Sequence, residues 1–131
     1  MTTDELIRWI HIVAAAVWVG GQITVAALVP ALRNAGATTD QIRTAARRFG
    51  AVAWAAIGVS VATGIIQLVR LDYPTRGNTA LVVKLLLVGI AVAVAWFHQI
   101  VARSAPPALR GALEGTLLLL ALAIVAAAVA L

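Results

Sequence analysis

A chain of 131 residues that is 63% hydrophobic and 11% charged, with mean hydropathy +1.01, cannot bury its apolar side chains in a core of that size. Composition therefore excludes an ordinary soluble domain and points to an integral membrane protein. The net charge of +5 is not read as a nucleic-acid footprint, because the Arg residues fall in the loops between apolar stretches, where they bias membrane orientation. The absence of cysteine excludes disulfides, iron–sulfur ligation and thiolate metal sites.

Four stretches are long enough to cross about 30 Å of hydrocarbon. The first, 6–29, is too long for the apolar region of a signal peptide and follows Asp4 and Glu5, so it is expected to stay as a helix. Within it His11, Ala15, Trp18 and Gln22 recur at i, i+4, i+7 and i+11 and share one face. The connection from Pro30 to Arg48 is the longest. Thr38 and Gln41 have the spacing of a capping box, which predicts a helix restarting near Asp40. Ile42, Ala45, Ala46 and Phe49 would face one side and Arg43, Arg47 and Arg48 the other, a basic amphipathic lead-in resting on an anionic membrane surface.

The second span, 49–69, carries a polar stripe of Ser60, Thr63 and Gln67, continued by Arg70. Turn chemistry follows in Tyr73-Pro74 and Gly77-Asn78. The third span, 79–102, places Lys84, Ala91, Ala95 and His98 on one face with small residues between, and Pro106-Pro107 marks the last turn. The fourth, 109–131, has almost nothing polar after Thr116 and reads as packing and lipid-contact scaffold. The expected fold is all-α: a single domain over 1–131 forming an integral membrane four-helix, up-down-up-down bundle. Gly20, Gly21, Gly58 and Gly64 are expected to allow close helix approach.

One end of this arrangement receives Arg33, Arg43, Arg47, Arg48, Arg103 and Arg110, the other Arg8, Arg70, Arg76 and Lys84. The positive-inside rule predicts a multi-pass protein of the cell membrane with both termini extracytoplasmic. His11 and Lys84 then sit at similar depth in the outer half, with Gln67 beside them and Arg70 and Arg76 at the rim. Ionisable residues inside a membrane are costly, which makes this group the candidate site. His98 lies fourteen residues beyond Lys84, roughly 21 Å deeper, so a haem held by His11 and His98 of one chain is geometrically poor. The plainer readings are that Lys84 snorkels to the headgroups, that His11 is a packing residue hydrogen-bonded to Gln67, and that His98 is interfacial.

The run HIVAAAVWVGG from His11 to Gly21, Pro30-Ala31-Leu32-Arg33, Arg47-Arg48-Phe49-Gly50, Thr63-Gly64 and VKLLLV around Lys84 together resemble the CopD-type membrane domain, over almost the whole chain. HemJ-type protoporphyrinogen oxidases look similar in placing a His before a Trp-x-x-Gly in the first helix and a Lys opening the third. By that resemblance His11 would bind haem b and Lys84 would be functionally important. The chain departs from the HemJ-like pattern in having no charge from Ile23 to Leu28. The CopD likeness implies copper uptake or resistance, yet Cu(I) prefers Cys and Met, and the chain has only Met1.

Three functional expectations follow. The first is a haem b protein with a redox role near the extracytoplasmic face, with His11 as axial metal ligand and Lys84, Trp18, Gln67, Arg70 and Arg76 as further cofactor-binding residues. Electrons would pass to a quinone or a partner protein, making a membrane oxidoreductase one outcome. The second is copper handling, with His11, Asp4 and Glu5 capturing Cu(II). The third is a non-catalytic subunit of a larger membrane complex, packed as a homo- or hetero-oligomer. The lipid bilayer is a partner in all three, and nucleic acid in none.

Overall fold

The computed structural model of the chain describes residues 1–71 and 76–131. It is all-α, with no strand among the described residues. Four helices run α1 (Thr3–Asn34), α2 (Thr39–Arg70), α3 (Thr79–Val101) and α4 (Pro107–Val129). All four are long and apolar enough to cross a membrane, the fold class that composition and hydropathy predict. They form two compact units, 1–73 and 74–131, each a helical hairpin. The Tyr73-Pro74 turn signal lies outside the described residues.

In the first hairpin both helices have 32 residues, about 48 Å by helical rise. Both open with a capping box. The Thr2 hydroxyl accepts from the Glu5 backbone N–H while Glu5 accepts from the Thr2 N–H, and Thr38 and Gln41 repeat the arrangement as their spacing predicts. The connection is much shorter than Pro30 to Arg48. Pro30 does not stop α1, because its missing N–H and fixed φ cost one hydrogen bond that a long apolar helix tolerates. The helix ends instead at Gly36, whose φ of +89° lets the Ala37 N–H reach back to the Leu32 carbonyl at 2.9 Å. The basic stretch with Arg43, Arg47 and Arg48 is therefore the first turns of α2 itself, continuous with the span.

In the second hairpin both helices have 23 residues, about 35 Å, close to a bilayer core. Asn78 caps α3 through its side chain on the Leu81 N–H at 3.1 Å, and Pro107 starts α4 where its missing N–H is not needed. The buried residues of the first hairpin are Ala14, Ala56, Ile57 and Thr63, and those of the second Leu81, Ala91 and Ala121. Most other large apolar side chains are exposed, among them Leu119 at 70% and Val129 at 83%, as lipid-facing helices require.

Candidate functional site

The polar stripe on α2 faces α1, and three contacts fix the register of the first hairpin. Asp4 meets Arg70, His11 meets Ser60 and Thr63, and Gly21 meets Phe49. Rising numbers on α1 meet falling numbers on α2, so the two helices run antiparallel. His11 is the polar centre of this seam. Its Nδ1 lies 2.8 Å from the Ser60 carbonyl oxygen and 3.1 Å from the Thr63 hydroxyl.

These contacts settle which ring nitrogen holds the proton. A carbonyl can only accept, and the Thr63 hydroxyl spends its own proton on the Val59 carbonyl at 2.7 Å. Both neighbours of Nδ1 are therefore acceptors, so Nδ1 carries hydrogen. In the neutral ring the lone pair is then on Nε2. An Nδ1–H donated to a backbone carbonyl is also the arrangement that orients a metal-bound histidine and raises the basicity of its other nitrogen. The ring lies over Gly64, where an added Cβ would meet Cε1 at 3.4 Å, an ordinary contact.

In the plainer reading of His11 as a packing residue, Gln67 is a candidate neighbour. The Gln67 amide donates to the Thr63 carbonyl of its own helix at 3.3 Å, one turn from the imidazole. A glutamine in a helix can always back-bond its own turn, whereas the Ser60 carbonyl and Thr63 hydroxyl lie directly across from the ring. Trp18 is half-buried on α1, two turns beyond His11.

Arg70 is tied down by an ion pair with Asp4, Nε to Oδ1 2.8 Å, with both side chains about half exposed. Lys84 belongs to the second hairpin, five residues after the first residue of α3 and half-buried; Arg76 is exposed in the turn before α3.

Two of the expected copper ligands are engaged elsewhere, Asp4 with Arg70 and Glu5 with the Thr2 N–H. Among the described residues no group of three or more His, Cys, Asp or Glu side chains is placed to hold a metal ion. What the first hairpin does offer is one imidazole with a fixed tautomer in an apolar surround, a donor set that fits a haem axial ligand and not a multidentate metal cage.

The glycines divide. Gly21 is filled by the Phe49 ring, which occupies the place a Cβ would take, while Gly20 and Gly58 have no described neighbour within 4 Å.

Sequence reasoning missed two groups. The Ser60 carbonyl leaves no signal, since any residue supplies one. Glu114, on α4, stands 3.7 Å from His98 on α3, and only its position within an apolar helix could have marked it. Comparison with protein-family models, with curated proteins and with solved structures gives no match.

Proposed function

We propose that this chain is an integral membrane haem b protein with a redox role, and that His11 is the axial ligand. The observation that supports the reading is the pair of acceptors on Nδ1, which gives the neutral ring an Nε2 lone pair and a fixed orientation. Haem, when bound, supplies one-electron chemistry that no side chain here provides. The residues of the chain then have separable tasks. Ser60 and Thr63 hold the His11 proton at Nδ1, and the apolar faces of α1 and α2 keep water from the ring. Trp18 offers a flat surface on the same helix. Arg70, shared with Asp4, is the cation of this hairpin proposed to meet the propionates. A quinone or a partner protein would exchange the electrons. The site is placed in the extracytoplasmic half of the cell membrane, following the distribution of Arg residues.

The test is an absorption spectrum, oxidised and dithionite-reduced, of protein purified in mild detergent from haem-replete cells. A Soret band with reduced α and β peaks that disappears in H11A supports the proposal. A colourless protein, or a full band in H11A, overturns it.

A second reading has its own observation. The same His11 contacts, with Gly64 under the ring, are those of a helix-packing histidine, and both hairpins expose broad apolar faces. That is the pattern of a non-catalytic subunit in a larger assembly, and a colourless protein that retains stoichiometric partners would establish it.

A further inference from the structure

Among its described residues the second hairpin holds one pair of titratable side chains contributed by different helices. His98 Nε2, in the last turn of α3, lies 3.7 Å from Glu114 Oε1 on α4. That is too long for a hydrogen bond and within reach of an ion pair. The two environments differ. The Nε2 atom is shielded from solvent and makes no hydrogen bond with a described residue, whereas the Glu114 side chain is 65% exposed. A neutral imidazole in this position leaves a buried polar nitrogen unsatisfied, which native structures rarely tolerate. A protonated one places a positive charge and a donor hydrogen against a carboxylate. The ligand that completes the arrangement is a proton.

We propose that His98 and Glu114 form a proton-binding site that clasps α3 to α4 when protonated and loosens them when the proton leaves. This is independent of the reading of His11, which lies in the other hairpin. The exposed carboxylate is the outward half of the pair and the port through which the proton reaches the enclosed nitrogen.

The surrounding charges are few. α4, the helix packed on α3, carries only Arg110 and Glu114; the turn between them carries Arg103; on α3 the other charge is Lys84, fourteen residues away. Arg110 is one helical turn before Glu114 and is the competitor for its carboxylate. The sign follows from the charges. The attraction exists only while the His98 ring carries the proton, so the clasp is present in acid and is lost as pH rises.

The chain has no cysteine, so I100C/A112C accepts a pair of spin labels near this end of the hairpin without background. Both positions are exposed. In lipid nanodiscs the α3–α4 distance distribution is expected to be narrow at about pH 5 and broad at about pH 8. H98Q and E114Q should each give the broad distribution at both pH values. H98R, whose guanidinium stays charged, should give the narrow one at both and shows that the site folds. R110Q should keep the response. An unchanged wild-type distribution across pH overturns the proposal, as does a pH response that survives in H98Q or E114Q or disappears in R110Q.

Discussion

The two hairpins solve one problem with different chemistry. In lipid there is no hydrophobic drive to bring apolar helices together, so association depends on close packing and on polar contacts between helices. The α1–α2 hairpin uses polar and shape-matched contacts spread along its length: Asp4 with Arg70 near one end, His11 with Ser60 and Thr63 further in, and the Phe49 ring against Gly21 beyond. The α3–α4 hairpin relies on small residues, with Ala91 at 1% and Ala121 at 0% exposure, and adds one imidazole–carboxylate pair. A seam built on polar contacts carries groups able to do chemistry, whereas an alanine seam carries almost none. That difference makes the first hairpin the candidate cofactor site and the second the candidate responsive element.

The comparison can be broken or sharpened by substitution. The largest expected effect is on the first hairpin's chemistry: H11A should lose the Soret band completely, whereas T63V, which leaves the Ser60 carbonyl on Nδ1, should retain it. A band present in H11A would show that the polar seam is structural only.

Next is the alanine seam. A121L inserts a bulky side chain where nothing is exposed and should destabilise the α3–α4 hairpin by about 1–3 kcal/mol, seen as faster amide exchange in α3 and α4 peptides. Unchanged exchange would mean that alanine packing does not hold this hairpin.

G21V sets a Cβ against the Phe49 ring and should cost somewhat less, about 1–2 kcal/mol, because a ring can swing aside where a backbone cannot. F49A should recover part of the loss, and a G21V protein with wild-type exchange in α1 and α2 would remove this contact from the account. The hydrogen-bond contribution is smaller still. T63V removes one of two acceptors on His11 and should cost about 0.6 kcal/mol, the average for such contacts between membrane helices. Smallest is D4N. Its ion pair with Arg70 is about half exposed, so the loss should be at the low end of about 0.2–1 kcal/mol and should fade as salt is raised.

Much of this architecture is legible from residues alone. Four apolar runs of membrane length define four helices because backbone groups in hydrocarbon must satisfy one another within the segment. The Thr38–Gln41 capping box marks the start of α2, and the i, i+4 spacings pick out the faces bearing His11 and Thr63. The end of α1 is less legible. Pro30 reads as a stop, yet the helix runs to Asn34, because the residues around it supply enough helical hydrogen bonds to carry one missing donor.

The sequence by itself determined that this chain is helical, that it has four membrane-length segments, and that His11 is an ionisable residue placed where hydrocarbon makes it costly. Those conclusions rest on composition and period, which are local. Only the tertiary structure decided that the Ser60 carbonyl and the Thr63 hydroxyl stand against His11 Nδ1, that the Gln67 amide bonds back to its own helix, that Arg70 is held by Asp4, and that His98 faces Glu114. The reason is physical. A helix period fixes the face on which a side chain stands, while its partner depends on the register between two helices, set by packing such as Phe49 against Gly21 and by backbone carbonyls that no residue name reveals.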